Sequence, residues 1–252
     1  MSHSSFRFAF ITDTQIGTNS PNGLRAPDSD RARMDAAITY VNENDIDFVV
    51  FGGDQIHHAD TEHTTPQLDV FLESASALTV PYYCVAGNHD QVPPSETCKY
   101  VERGLSLRFT HRHENTAFVG INSSWLRGDF GPGPQAEEWE YMENALTAIP
   151  DDVTHRFVVM HWPLFSQHPD EDECYWNMPN RARIVELFSQ HDVSCAFSGH
   201  WHQDLDASWH GVRLISSMAT SRFLQYPEET AFKVVTVFDT GWSVRRVAVA
   251  TD

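Results

Sequence analysis

The sequence predicts an α/β protein in which parallel strands alternate with helices. Short apolar runs at 6–11, 48–51 and 81–86 are typical of buried strands, and helical periodicity follows the first two. Such alternation places the strands in parallel, with helices on both faces of the sheet. At 252 residues and 41% hydrophobic content, the chain is long enough for one large domain. We therefore expect a single domain over residues 1–252.

Two helices are predicted in the first half of the chain. Asp28 or Ser29 can cap the first helix. Its apolar positions, which share one face, are Met34, Ala37, Ile38 and Val41. Thr65 followed by Pro66 indicates a cap and a first-turn proline for the second helix. The predicted buried face of that helix comprises Leu68, Phe71, Leu72, Ala75 and Leu78.

The second half of the chain predicts further strands and two more helices. The predicted strands are 106–110, 116–121, 157–160 and 193–197, with long loops at 122–134 and 164–179. Pro134 is expected to open a helix that buries Trp139, Met142, Leu146 and Ile149. A helix over 180–191 buries Ile184, Leu187 and Phe188. The tail, 204–249, predicts three or four antiparallel strands that complete a second sheet, with turns at 210–211 and 240–241.

Composition argues against several classes of partner. The formal net charge of −18 repels nucleic acid polymers and anionic membranes. No apolar run approaches the roughly 20 residues of a membrane span. The first apolar run is shorter than a signal-peptide core of about 7–15 residues, so a cytoplasmic location is the default expectation.

The four cysteines do not predict a structural zinc site, because no pair has Cys-x-x-Cys spacing. Cys84 and Cys195 lie in strand-like runs and are expected to fill the core. Cys98 and Cys174 lie in loop-like segments, and whether they pair is left open.

Five predicted strands end in side chains that bind metal ions. These are Asp13 and Gln15, Asp54, Asn88 and His89, His161, and His200 and His202. Each alone has an ordinary explanation, such as a helix cap or a hydrogen-bonded polar residue. Together they combine hard oxygen donors with imidazoles at sheet edges where α/β proteins bind ligands. A mixed set of this kind suits Mn, Fe or Zn.

The order of these motifs resembles the calcineurin-like metallophosphoesterases. The matching stretches are Asp13-Thr14-Gln15, Gly53-Asp54, Gly87-Asn88-His89-Asp90, His161 and Gly199-His200-Trp201-His202. Gln15 stands where histidine is usual. This Asp-x-Gln form, together with His161-Trp162-Pro163-Leu164-Phe165, resembles a branch containing calcineurin-like phosphoesterase domain proteins, some of them Ser/Thr phosphatases. The resemblance implies a four-layer α/β/β/α sandwich of two mixed sheets flanked by helices.

The resemblance also implies a mechanism with two divalent metal ions, Mn or Fe being favoured over Zn. One ion would be held by Asp13, Gln15, Asp54 and His202. The other would be held by Asp54, Asn88, His161 and His200, with Asp54 bridging. A hydroxide shared by the two ions would attack a phosphomonoester or phosphodiester. His89 would assist the leaving group, and Asp90 would orient its imidazole.

Substrate contacts are less sharply specified. Arg25 and Arg127 are candidates, because a guanidinium group matches phosphate oxygens bidentately. His57, which follows the Gly-Asp motif, could also reach the substrate, the alternative being an ordinary polar loop. Five aromatic residues in the surrounding loops are candidates for stacking: Trp125, Phe130, Tyr175, Trp176 and Trp201. A small phosphate ester or a phosphoprotein is the expected substrate. The alternatives are a cyclic-nucleotide phosphodiesterase and a non-catalytic scaffold, and a scaffold would be expected to have lost ligands or His89.

Overall fold

The computed structural model describes residues 5–17, 30–58, 60, 62–91, 95–221 and 230–249, without the side chains of 95–98. The elements are, in chain order, β1 (Ser5–Ile11), α1 (Asp30–Glu43), β2 (Phe48–Phe51), α2 (Thr64–Ala75), β3 (Tyr82–Cys84), α3 (Ser95–Glu102), β4 (Phe109–His113), β5 (Thr116–Gly120), α4 (Ser123–Arg127), α5 (Pro132–Thr147), β6 (His155–Val159), α6 (Arg181–Gln190), β7 (Cys195–Ser198), β8 (Leu205–Trp209), β9 (Val212–Ser216), β10 (Ala231–Phe238) and β11 (Gly241–Ala248).

The strands form two mixed sheets. The first has the order β11-β10-β1-β2-β3 and the second β4-β5-β6-β7-β9-β8. Strands β1, β2 and β3 are parallel, as are β5, β6, β7 and β9, while antiparallel strands complete both sheets. Helices α1 and α2 pack on the first sheet, and α5 and α6 pack on the second. The predicted four-layer α/β/β/α arrangement is confirmed.

A core rich in phenylalanine lies between the two sheets. Along β1, alternate side chains point to opposite faces, so Phe8 enters this core while Ala9 packs toward the helices. The Phe8 ring meets the Phe118 and Phe197 rings of the second sheet edge-on, with centroids 5.1 and 5.7 Å apart. Seven buried phenylalanines build this layer: Phe6, Phe8, Phe10, Phe48, Phe118, Phe157 and Phe197. Each fully buried ring contributes about 1.5–3 kcal/mol of transfer free energy.

The predicted faces of the first two helices are largely confirmed. The four predicted positions of α1 are buried, whereas its proposed caps, Asp28 and Ser29, lie outside the described residues. The predicted cap of α2 was wrong by two residues, whereas Pro66 lies in the first turn as predicted. His63 occupies the cap position, and Pro66 is the third helical residue. The Asp60 carboxylate accepts hydrogen bonds from the amides of Glu62 and His63, so the turn that opens the helix begins earlier.

The predicted loop at 122–134 was wrong, because it contains α4 and the start of α5. The Asn122 side chain accepts a hydrogen bond from the Trp125 amide at 3.3 Å and caps α4, which ends at the left-handed Gly128. Helix α5 begins at Pro132 rather than Pro134, with Gly131 at its cap.

The strand predicted at 106–110 lies further along the chain, at 109–113. A tight turn with Glu114 at positive φ fixes the hairpin, in which His113 pairs with Thr116. Because of this register, β4 spans residues 109–113 rather than 106–110.

The described residues of the tail form four strands, with turns at the predicted positions. The prediction that they all complete the second sheet was wrong. Only β8 and β9 join it, whereas β10 pairs antiparallel with β1 and β11 extends the first sheet.

Cys84 and Cys195 are buried in the core, as predicted. Cys174 is exposed and is a free thiol, and the Cys98 side chain lies outside the described part of the chain. Within the described residues, no helix is both long and apolar enough to span a bilayer.

Candidate metal centre

Strand ends from both sheets meet at one buried cluster. Asp13 follows β1, Asp54 follows β2, His161 follows β6 and His200 follows β7. The loops behind the first two strands run side by side, since the Gln15 amide donates to the Asp54 carbonyl at 2.9 Å. Every one of these side chains is at most 3% exposed. Parallel strands therefore deliver their carboxyl-terminal residues to a shared site, as the sequence predicts.

The polar atoms of the cluster lie close together. The Asp54 carboxylate is 3.2 Å from Nε2 of His161, and the Asp13 carboxylate is 3.0 Å from Nε2 of His202. Asp54, His161 and His200 each present a possible ligand atom, and these three atoms lie within 4.8 Å of one another. The Gln15 amide nitrogen donates to Asp54 at 3.2 Å.

Neighbouring groups orient these donors toward the cluster. Nδ1 of His161 donates to the Gly52 carbonyl at 2.9 Å, and its buried Nε2 forms no hydrogen bond, although the Asp54 carboxylate lies 3.2 Å away. Oδ1 of Asn88 is likewise buried without a partner, while its amide nitrogen donates to the Tyr175 hydroxyl at 3.4 Å. Buried polar atoms are normally hydrogen-bonded. A nitrogen and an oxygen without hydrogen bonds, beside two buried carboxylates, fit a cation site. At such sites a backbone carbonyl often fixes the tautomer of the histidine that binds the metal.

The backbone of the cluster is unusual. Five of its non-glycine residues have φ in the left-handed region: Asp13, Gln15, Asp54, His200 and His202, at 54°, 38°, 52°, 63° and 54°. Such conformations are uncommon outside glycine and concentrate at functional sites.

Two motif glycines make room for the carboxylates. A Cβ on Gly87 would collide with the Asp54 carboxylate and amide, and a Cβ on Gly199 would collide with Thr12 and the Asp13 carboxylate. Both positions therefore require a residue without a side chain.

The cluster combines two ionised carboxylates with histidines whose pKa values are shifted in opposite directions. Burial alone would raise the pKa of Asp54, but the nearby His161 and His89 outweigh it and hold that pKa far below its usual range. At Asp13, burial would likewise raise the pKa, but the nearby His202 outweighs it and that pKa is also lowered.

Burial lowers the pKa of His200 to about 3, so its imidazole is neutral. Burial also disfavours the charged form of His161, yet Asp54 raises its pKa to about 9. Two ionised acids beside imidazoles are suited to cations.

His89 lies at the edge of the cluster and lines an adjoining cavity of about 260 Å³. Its amide donates to Asp54 at 2.8 Å, and its Nδ1 lies 2.6 Å from the His57 carbonyl. The His57 ring stacks on it at 15° and 5.1 Å. Segment 57–58 is in turn held by Gln67, whose side-chain oxygen accepts both of its amides. The cavity is lined by Gln15, Asp54, His57, His89, Tyr175, Trp176, His200 and His202.

The contacts of Asp90 do not match its expected role of orienting the His89 imidazole. Its buried carboxylate accepts hydrogen bonds from the amides of Gly87 at 2.7 Å and Ile56 at 3.1 Å. It thus fixes the loop that carries Asn88 and His89, while the His57 carbonyl orients the imidazole. Burial, reinforced by the charge of Asp54, raises the pKa of Asp90 to about 7.

Of the three predicted substrate contacts, His57 lines the cavity and Arg25 lies outside the described residues. Arg127 is not among the cavity-lining residues. Its guanidinium stacks over Trp162 at 4.1 Å and donates to the Asn177 carbonyl at 2.5 Å.

Two supporting hydroxyl groups were not predicted from the sequence. The Ser123 side chain accepts the amides of His161 and Trp162, both at 3.0 Å, and Thr12 donates to Asp13 at 2.7 Å. Ser123 follows β5, at the same sheet edge as the predicted ligands, so its position after a strand was an available signal.

Comparisons with known proteins agree on one protein family. The profile described as calcineurin-like phosphoesterase matches residues 6–204. The serine/threonine-protein phosphatase CPPED1 of Danio rerio is 28% identical over 190 residues, which cover 68% of this chain and 59% of that protein. The chain therefore spans less than two thirds of this relative. The 3',5'-cyclic adenosine monophosphate phosphodiesterase CpdA of Escherichia coli is 24% identical over 228 residues, covering 85% and 76%.

Solved structures share the fold. A dimetal phosphatase from Danio rerio superposes with a TM-score of 0.71 at 16% identity, covering 98% of this chain and 99% of that one. A purple acid phosphatase from yellow lupin gives a TM-score of 0.70 at 13% identity, covering 98% and 52%. At these identities the likeness concerns the fold alone.

Proposed function

Because the chain belongs to the calcineurin-like phosphoesterase family, we propose that it hydrolyses phosphate esters with two divalent cations held at the buried cluster. The observation that carries the proposal is the convergence of two ionised carboxylates with orphaned nitrogen and oxygen donors. The family fold implies divalent metal ions, and the donor set at this site fits them.

We assign one cation to Asp13, Gln15, Asp54 and His202, and the other to Asp54, Asn88, His161 and His200. Ligand bonds near 2.1 Å place neighbouring ligand atoms roughly 3.0–3.4 Å apart. The 3.2 Å between Asp54 and His161 and the 3.0 Å between Asp13 and His202 fall in this range. The Gln15 amide would rotate so that its oxygen, rather than its nitrogen, faces the cluster. Mixed oxygen and imidazole donors favour Mn or Fe, with Zn as the alternative.

The protein's own groups supply positioning and a proton. When bound, the two cations make water more acidic and offset charge on the phosphoryl oxygens. With Nδ1 of His89 donating to the His57 carbonyl, Nε2 is left to carry a proton to the departing ester oxygen. Asp90 holds the loop beneath this imidazole through two backbone amides.

The substrate is a small phosphate ester or a phosphoprotein, either a monoester or a diester. The relatives named as phosphatase and as cyclic-nucleotide phosphodiesterase support both forms, and we keep the diesterase as the alternative. A non-catalytic scaffold is less consistent with the retained donors and His89. A cytoplasmic location and a single domain over 1–252 stay predictions.

The test is hydrolysis of aryl phosphomonoesters and diesters by purified protein with added Mn²⁺. The His89→Ala variant should lose roughly 10²–10⁴-fold in kcat, the usual contribution of a general acid. It should still bind two cations per chain by elemental analysis. His191→Ala, at the end of α6, is the matched control and should retain full activity. Absence of metal-dependent turnover on a broad panel, or full activity in His89→Ala, would contradict the proposal.

A further inference from the structure

An aromatic wall borders the proposed cation site. Tyr175 and Trp176 both line the cavity that contains His89 and Asp54. Tyr175 is 52% exposed, whereas most large apolar side chains of the described residues are buried. Trp176 is partly buried, so the two rings together present an aromatic surface to the cavity beside Asp54 and His89.

This wall is held in place by its neighbours. The Tyr175 ring packs edge-on against buried Trp162, with centroids 5.3 Å apart, and Trp176 packs against Trp201 at 5.2 Å. The Tyr175 carbonyl also accepts a hydrogen bond from Nε2 of His200 at 3.1 Å. The two rings are therefore fixed relative to the proposed cations, and little ordering entropy is lost when a ligand binds.

The segment that carries the rings is braced on both sides. Glu171 accepts hydrogen bonds from the amides of Ser166, Gln167 and His168. Arg127 donates to the carbonyls of Cys174 and Asn177, which flank the aromatic pair. A braced loop presents a preformed surface rather than a mobile flap.

The charges around the cavity restrict the ligand further. No lysine or arginine is among the lining residues that the structure describes. The formal net charge of −18 disfavours highly anionic ligands. One phosphate can be neutralised by the two cations, but the described lining offers no lysine or arginine for a second phosphate.

We propose that Tyr175 and Trp176 form a subsite for a flat ring, so that the substrate is an ester with a single phosphate and an aromatic or heterocyclic group. This inference rests on the proposed function, because it places the phosphate at the cation pair. Stacking one ring on an aromatic side chain contributes a factor of roughly 5–150 in affinity. Esters of glycerol or of aliphatic amino acids lack this contact.

The experiment compares two probes that differ only in ring flatness. Benzylphosphonate and cyclohexylmethylphosphonate are titrated calorimetrically into Mn²⁺-loaded protein, and the matching phosphate esters are assayed for turnover. Wild type should bind the benzyl compound at least roughly 5-fold more tightly. Trp176→Leu should bring this ratio close to one, and Trp176→Phe should give an intermediate ratio. Trp139→Leu, on α5 and away from the cavity, should keep the wild-type ratio.

The outcomes separate this inference from the proposed function. Equal affinities for both probes in wild type, or an unchanged ratio in a folded Trp176→Leu variant, would overturn the subsite. If Trp176→Leu does not fold, as judged by its thermal melt, the Trp176→Phe ratio decides, and a ratio equal to wild type counts against the subsite. Turnover of both esters without preference would reject the ring subsite alone. Failure to hydrolyse any ester would reject the proposed function, and the phosphonate titration would still measure ring recognition.

Discussion

Five side chains of the cluster project from backbone in the left-handed region. For a non-glycine residue this conformation costs roughly 1–3 kcal/mol. Aspartate and histidine tolerate it better than most residues, whereas glutamine at position 15 is less suited to it. The backbone of the cluster therefore lowers the stability of the protein when no ligand is bound. The binding free energy of a ligand held by these side chains would offset that cost.

The glycine at position 199 is required by the cluster. In Gly199→Ala, the new methyl group would push against Thr12 and the Asp13 carboxylate. We expect about 1–3 kcal/mol loss of unfolding free energy and weaker binding of the cation assigned to Asp13. Urea denaturation and metal titration measure the two effects.

Gly133→Ala is the control for this change, because nothing lies within 4 Å of the added carbon. That substitution lies in α5 and should be neutral or slightly stabilising. Equal stability and equal cation affinity in Gly199→Ala and wild type would show that the close approach has no energetic role.

The identities of the clustered residues were predictable, whereas their supporting contacts were not. Asp54 and His161 follow apolar strands, and parallel strands bring their ends together, so proximity followed from the pattern. The partners of Arg127 and Asp90 depend on which carbonyls, rings and amides the folded loops place nearby. The Arg127 guanidinium stacks over the Trp162 ring, and the spacing of these residues in the sequence does not predict that contact.

At the scale of elements, the loop over 164–179 depends on one carboxylate. Glu171 receives hydrogen bonds from three backbone amides, and the Asn177 side chain donates to it at 2.6 Å. Burial alone would raise the pKa of Glu171, but these donors outweigh it and lower that pKa to about 2. The ionised form is thus tied to the folded loop.

The lowered pKa predicts how stability depends on pH. Because the folded pKa of Glu171 is below its ordinary value of 4.5, its contribution is complete above that pH and is lost as the pH falls toward 2. Glu171→Gln should therefore reduce the unfolding free energy by about 1–2 kcal/mol at pH 7. The difference from wild type should shrink between pH 4.5 and 2, as measured by urea denaturation at several pH values.

Asp172→Asn is the control, since Asp172 is an exposed acid on the same loop. Its unfolding free energy should follow wild type across the pH range. A difference between Glu171→Gln and wild type that stays constant down to pH 2 would refute the assigned role of the carboxylate.

Element predictions succeeded where the pattern is local and failed where pairing is distant. The β2 strand follows from a short apolar run, and the buried face of α1 follows from helical periodicity. Helix α4 was hidden because its five residues are too few to show a period and depend on the Asn122 cap. The pairing of β10 with β1 joins opposite ends of the chain, and local sequence carries no record of it.

At the scale of the whole molecule, the proposed cations join the two sheets. Asp13 and Asp54 come from the first sheet, while His161, His200 and His202 come from the second. Binding to the native state alone raises stability by about 2.7 kcal/mol at a free cation concentration 100 times Kd. The empty cluster, with two buried ionised carboxylates, is correspondingly less stable.

Metal loading should therefore raise the thermal midpoint. At saturating Mn²⁺ we expect an increase of about 5–10 °C over protein treated with a chelator, given about 2–4 °C per kcal/mol for a chain of this size. Differential scanning calorimetry with and without the metal provides the measurement.

Asp54→Asn provides the contrast, because Asp54 is assigned to both cations. In that variant the increase should be largely lost. Should Mn²⁺ shift the midpoint of Asp54→Asn as much as that of wild type, the cations must bind elsewhere.

The phenylalanine layer has a consequence for the centre above it. Face-to-face sheets are held roughly 10 Å apart by the side chains between them. Here rings such as Phe8 and Phe197 fill that gap, and the strands that carry them lead directly to Asp13 and His200. The distance between the carboxylates that follow the first sheet and the imidazoles that follow the second is thus set by the phenylalanine rings packed between the sheets. Substitutions of these remote phenylalanines would change the spacing of the proposed cations without altering a residue that is assigned to bind them.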